Sequence, residues 1–298
     1  MAIFNFDAKV VEFINWWTAE FGGKDPRNIQ IGYENRDINV VPSSSNPSVN
    51  VIPKLARSSV QELQNNTSVT QTQELAFSET TTESQSSTTT HGASFSTTVT
   101  SVTQFTAEVN FKAIGSSIEQ TIGVSMTGEY NYSSSLTKTT EKSRSWILTQ
   151  PVVVPPFSRV TCTLLIYNAP FSVPVDLNCN VFGTLGGDFL ASYTYTVIST
   201  GRTVNTSITA SQMTLTSWPG KPSEIIGIAP KHGLIFKGTG TQAAVNGLYS
   251  TVKFVESPLP GHQGEKRTYY LPAQPVNEDD LISSVFSNIP IINPVSNL

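Results

Sequence analysis

Charge is scarce in this 298-residue chain: 18 Lys and Arg and 22 Asp and Glu amount to 13% of it, and the net charge is −4. A soluble domain averages about 25% charged residues. No basic cluster is longer than the Lys266-Arg267 pair, so nothing neutralises a phosphate backbone and nucleic acid is not an expected partner. Apolar runs are short as well. None reaches the about 18 residues of a transmembrane helix, which leaves only β-strands as a route through a bilayer. The two cysteines, Cys162 and Cys179, cannot make a disulfide framework and are expected as free buried thiols. The alternative is one bridge across a hairpin turning at residues 168–171. The three histidines, His91, His232 and His262, lack metal-ligand spacing, and no nucleophile elbow, phosphate loop or dinucleotide fingerprint occurs. No enzymatic constellation, metal or cofactor is therefore expected. Residues 1–7 have no positive region, apolar core or cleavage site of a secretory leader, so the protein is expected to accumulate in the cell that makes it.

What the chain does have is Ser, Thr and strand-like alternation. A single helix is expected near the start, where Val10, Ile14, Trp17 and Phe21 recur at helical spacing until Gly22-Gly23. Its buried face would hold those four, with Trp16 outside. Residues 42–50 read as a turn-rich connector. Ser and Thr then fill 17 of the 26 positions from 78 to 103, and a second Ser/Thr run covers 133–140. Such tracts are either disordered linkers or long polar-faced strands, and β-branched Thr with almost no Pro or Gly favours strands.

Between the two tracts lies an alternating segment. Phe105, Ala107, Val109, Phe111 and Ala113 are apolar, with Gln104, Thr106, Glu108, Asn110 and Lys112 between them. After a turn at 114–117 the phase switches, so that Ile118, Ile122, Val124 and Met126 are apolar and Glu119, Thr121, Ser125 and Thr127 polar. A tight hairpin over 104–127 puts both apolar sets on one face. It is either an ordinary hairpin packed on a sheet or a pair of about ten-residue strands able to cross a bilayer. Further strand-like runs follow at 159–167, 173–182, 192–199, 203–215, 234–237 and 248–255. The tail from Leu271 reads as a loosely attached extension.

The tracts, the hairpin, residues 146–156 with Gln150-Pro151-Val152-Val153-Val154-Pro155-Pro156, and residues 247–254 leading to Arg267-Thr268-Tyr269-Tyr270 together resemble the aerolysin-like β-pore-forming toxins. The likeness is to the epsilon-toxin and mosquitocidal-toxin branch, which includes parasporal crystal proteins. It covers roughly residues 60–180 and 245–271.

The resemblance implies a mainly β, elongated fold of long antiparallel strands, β-sandwich regions and a small N-terminal α/β head. Residues 1–60 and about 185–240 would form a receptor-binding head, 61–184 and 241–271 the pore-forming module, and 272–298 a propeptide-like tail. It further implies a protoxin, stored as a parasporal inclusion and acting outside the cell on a target membrane. The protoxin would be clipped by protease, bound to a protein or glycan receptor, and assembled into a ring, often a heptamer.

Carried onto this chain, Phe105, Ala107, Val109, Phe111, Ile118, Ile122, Val124 and Met126 would face lipid. Gln104, Glu108, Asn110, Lys112, Glu119 and Thr121 would line the pore, with a weak cation preference. Trp16, Tyr33 and Trp218 are the candidate receptor or membrane contacts. Candidate activation sites are Lys24, Arg27, Arg36, Lys54 and Arg57 in loop-like surroundings, and Tyr270, Leu271 and Phe286 near the end. A non-toxic crystal or storage relative and a carbohydrate-binding β-sandwich are the competing readings.

Overall fold

The computed structural model describes residues 2–113, 118–272 and 274–275. In chain order they form β1 (Ala2–Asn5), helix α1 (Phe6–Glu20), β2 (Gly23–Ile31), β3 (Tyr33–Pro42), β4 (Ser48–Asn50), β5 (Lys54–Asn65) and β6 (Gln71–Ser94). Then come β7 (Thr100–Lys112), β8 (Glu119–Asn131), β9 (Lys138–Val154), β10 (Ser158–Gly183), β11 (Phe189–Val197) and β12 (Thr203–Thr209). A 3-10 turn (Ala210–Thr214), β13 (Ile225–Ala229), β14 (Gly233–Pro258), β15 (Arg267–Tyr270) and β16 (Gln274–Pro275) complete it.

The spine is the antiparallel pair β10 and β14, 26 residues each, in register from Ser158↔Pro258 to Val181↔Leu234 with one shift at Tyr167/Asn168. At about 3.3 Å per residue each strand runs about 85 Å. Inward residues of β10 supply three successive cores. Val175, Leu177 and Val181 pack with α1 and Phe236; Tyr167, Ala169, Phe171 and Val173 lie under the β7–β8 hairpin; Val160, Cys162, Leu164 and Ile166 pack with Leu75, Phe77 and Val154. β5 and β3 share the second edge of β10, at its 158–168 and 175–183 ends. β6 lies on β14 at 239–245 and carries β9 on its other edge over Gln71↔Val154 to Ser87↔Lys138. Two smaller sheets, β12-β11-β2 and β4-β7-β8, complete the mainly β architecture.

Several sequence expectations need correction. Residues 159–167 and 173–182 are one strand, and the turn expected at 168–171 is its middle. Pro170 and Pro174 sit between the stretches paired by β5 and β3, where no described strand bonds that edge of β10, so a missing N–H costs little. Cys162 and Cys179 therefore lie far apart on one strand, free and buried, and no bridge can join them. The first Ser/Thr tract is split. Residues 95–99 break it because Phe95 and Val99 turn into the core beneath α1. The second tract is irregular over residues 134–137, with β9 starting only at Lys138. There Tyr132 is buried and its hydroxyl bonds both Asn39 O (2.7 Å) and Asn178 O (2.9 Å), which pins the chain. α1 starts earlier than its periodicity suggests, capped by Asn5 Oδ1 accepting from Ala8 N at 2.8 Å. Its buried face is Phe6, Val10, Phe13, Ile14 and Thr18.

Candidate functional site

The alternating segment folds as predicted. β7 and β8 pair with Phe105↔Met126, Ala107↔Val124, Val109↔Ile122 and Lys112↔Glu119, so odd residues of one strand and even residues of the other share a face. The turn at 114–117 lies outside the described residues. Ala107, Val109, Phe111, Ile122, Val124 and Met126 are buried and Phe105 is half-buried. They rest on β10 and β14, where Phe111 stacks on Tyr249 (centroids 5.5 Å, planes 3° apart) and Tyr249 on Tyr167 (4.8 Å). Ile118 departs from the set: it lies beyond the last pair, Lys112↔Glu119, and is 71% exposed.

The opposite face is polar and wet. Gln104, Glu108, Lys112, Glu119 and Thr121 are exposed, and half-buried Asn110 accepts from Thr121 Oγ1 at 2.6 Å. Lys112 and Glu119 stand directly opposite, which leaves Glu108 without an opposite charge across the ladder. The seat is imperfect: Gln120 falls in the apolar phase opposite Phe111, and its Oε1 is buried without a hydrogen-bond partner among the described residues. A buried orphan of this kind costs about 1–3 kcal/mol and weakens the docking.

Both outer edges of the hairpin are occupied. β4 runs parallel to β7, with Glu108 N donating to Pro47 O (2.8 Å), Val51 N to Asn110 O (2.9 Å) and Asn110 Nδ2 to Ser48 Oγ (2.9 Å). Along β8 the partners are side chains of β6 and β14.

The aromatic candidates are placed otherwise than expected. Trp218 is 2% exposed, edge-on to Phe13 at 5.1 Å, because the 3-10 turn folds Ser217-Trp218-Pro219 over the helix. Tyr33 is half-buried; its hydroxyl donates to Asp7 Oδ1 (2.9 Å) and accepts from Ser96 N, and burial raises its pKa. Trp16 is half-buried on Phe13 (5.6 Å) rather than outside. Phe21 is the exposed one, at 61%, since it caps the helix C-terminus instead of continuing its buried stripe. The Gly22-Gly23 stop was the signal for that.

The basic cleavage candidates lie in strands, not loops. Lys24 and Arg27 are in β2 on β11, Arg36 in β3, and Lys54 and Arg57 in β5 on β10. Tyr270 ends β15, Leu271 follows with its N–H on Val252 O (2.9 Å), and Phe286 lies outside the described residues. Sequence reasoning missed Glu83, 1% exposed on β6, which faces Arg144 and Lys142 of β9 and accepts from Gly247 N at 3.0 Å.

Long paired strands, a helix packed at one end of the spine and an amphipathic hairpin seated on it define the aerolysin-like class of β-rich crystal proteins and pore formers. Residues 26–268 match the family described as Clostridium epsilon toxin ETX/Bacillus mosquitocidal toxin MTX2, and the chain belongs to that family. It is 39% identical over 287 residues to the pesticidal crystal protein Cry15Aa of Bacillus thuringiensis subsp. thompsoni, covering 92% of this chain and 80% of that one. Among solved structures it is similar to a chain of the Cry23Aa1 and Cry37Aa1 binary complex (TM-score 0.60, 20% identity, 92% and 98% covered). It is also similar to a non-toxic crystal protein from Bacillus thuringiensis (TM-score 0.66, 18% identity, 88% and 100% covered).

Proposed function

We propose that this protein is a crystal-stored protoxin that acts outside the producing cell. On a target membrane it binds a receptor, assembles into a ring and inserts the 104–127 hairpin as part of a β-barrel. The observation that carries this reading is a hairpin with one face apolar except for Gln120 and the other polar and largely exposed to solvent. Insertion exchanges the seat for lipid and the solvated face for an aqueous lumen. Phe105, Ala107, Val109, Phe111, Ile122, Val124 and Met126 then meet lipid, while Gln104, Glu108, Asn110, Lys112, Glu119 and Thr121 line the channel.

Clipping near Tyr270 or Leu271 suits activation. A cut after Tyr270 leaves β15 in place but releases Leu271, whose O accepts from Thr251 Oγ1 at 2.7 Å, and β16, which pairs β14 at Tyr249 and Ser250, so it frees that stretch of the β14 edge. The head around α1, with exposed Phe21, is the side assigned to the receptor. With Lys112 opposite Glu119, the Glu108 ring sets selectivity, and the channel prefers cations weakly.

Dye release from liposomes after chymotrypsin treatment tests the reading. Release is expected, with a cation preference that Glu108→Gln lowers toward none; an anion-selective channel contradicts the assignment. The likeness to a non-toxic crystal protein supports a second reading, an inert storage protein, which predicts no release from clipped protein on any target-cell lipid.

A further inference from the structure

The Ser/Thr tract has a use that its strand propensity does not explain. Gln85, Ser87 and Thr89 alternate along β6 and face the outer edge of β8. Gln85 Nε2 donates to Ser125 O (2.9 Å) and its Oε1 accepts from Thr127 N (2.8 Å). Ser87 Oγ donates to Glu129 O (2.7 Å) and Thr89 Oγ1 to Asn131 O (2.8 Å). From β14, Gln242 Nε2 donates to Thr127 O (3.1 Å), and Tyr130 holds that amide by donating to its Oε1 (2.8 Å). Ser87, Thr89 and Gln242 are all buried, at 4%, 1% and 0% exposure.

Every β8 residue bonded through its backbone here is odd-numbered. In an antiparallel ladder the N–H and C=O of alternate residues point away from the partner strand, so these groups are the ladder that β8 offers on the side away from β7. An open ladder of this kind is a template for another strand. Side chains fill it here with the spacing of a strand but without a strand.

We propose that Gln85, Ser87, Thr89 and Gln242 form a latch that keeps the outer edge of β8 closed against a second copy of this chain. The proposal rests on the pore-forming reading and names its regulation. β7 and β8 form opposite edges of one hairpin, so once β4 has left β7, pairing β8 of one copy with β7 of the next is head-to-tail, the arrangement from which a ring is built. The incoming strand and the latch compete for the same atoms, Thr127 N and the carbonyls of Ser125, Thr127, Glu129 and Asn131. A side-chain latch suits this competition because each backbone group it releases can be taken up by a backbone group of the incoming strand.

The test compares wild type with the triple variant Gln85→Met, Ser87→Ala, Thr89→Val, which keeps side-chain size, and with Ser87→Ala alone. Amide exchange of Thr127 in the unclipped protein is expected to rise about five-fold or more in the triple variant, the weight of one typical hydrogen bond. Even-numbered β8 amides, bonded to β7, stay as in wild type. On chymotrypsin-treated protein with phosphatidylcholine–cholesterol vesicles, detergent-resistant oligomers are expected to form several-fold faster, with unchanged single-channel conductance and Ser87→Ala intermediate. Unchanged Thr127 exchange overturns the latch whatever the vesicles show. Raised exchange with oligomers forming at the wild-type rate overturns its role as a gate. Raised exchange with no oligomers from wild type or variant leaves the hydrogen-bonded cap standing and overturns the pore-forming reading on which the gate rests.

Discussion

Glu83 shows how much one residue can carry in a chain so poor in charge. Its carboxylate is buried, and it ties three elements together: Arg144 and Lys142 on β9 and the backbone N–H of Gly247 on β14. A buried ion loses several kcal/mol of hydration, which partners must offset; removing one partner strands the other. Glu83→Ala is expected to destabilise the protein by about 3–5 kcal/mol in urea unfolding, whereas a shift under about 1 kcal/mol would mean that water already satisfies Arg144. The thiols give a second residue-scale prediction. Burial pushes Cys179 up to about 12 and Cys162 up to about 11, with Asp37 adding to the first. Neither should react with a thiol reagent at pH 8 until the chain unfolds. Because the folded state holds these protons more tightly than the unfolded one, stability is unaffected below about pH 9 and falls as the pH rises from about 9 toward 12. A midpoint flat through that window would contradict the burial. Gln85, Ser87 and Thr89 could not be told from a generic Ser/Thr strand in the sequence, since their role depends on which backbone lies over them.

At the scale of elements, period-two patterning was enough to give the hairpin and its shared apolar face, because a one-residue slip would have turned the apolar side chains outward. The same kind of reading failed on β10. Asn168-Ala169-Pro170-Phe171 has turn composition, but only the spacing of β5 and β3 along the neighbouring edge shows that a proline is harmless there. It also failed on the basic residues, since a polar strand paired along only one edge looks like a loop when its partner is distant in sequence. Pairing has a consequence for proteolysis. Limited trypsin digestion should spare Lys24, Arg27, Arg36, Lys54 and Arg57, which lie in paired strands, and cut first at Lys266, in the unpaired stretch before β15. First cuts at any of the five, read by mass spectrometry, would mean that β2, β3 or β5 opens more easily than its pairing implies.

For the whole molecule, β10 and β14 run through all three cores, so the core under α1, the hairpin seat and the core around Val160–Ile166 are built on one continuous ladder. In the proposed function the part that leaves that ladder is the hairpin, held by an apolar seat, by β4 on one edge and by side chains on the other. The most direct test of the account is single-channel conductance across a planar bilayer, using chymotrypsin-treated protein carrying Asn50→Cys and Asn110→Cys. These two residues stand directly opposite each other across the β4–β7 edge, so a bridge there ties the hairpin to a segment that leads into β5, which is paired with β10. The account predicts silence in the oxidised protein and stepwise channels after reduction, equal to those of wild type. Channels of the same frequency in the oxidised protein, or none from clipped wild type on target-cell lipid, would contradict it.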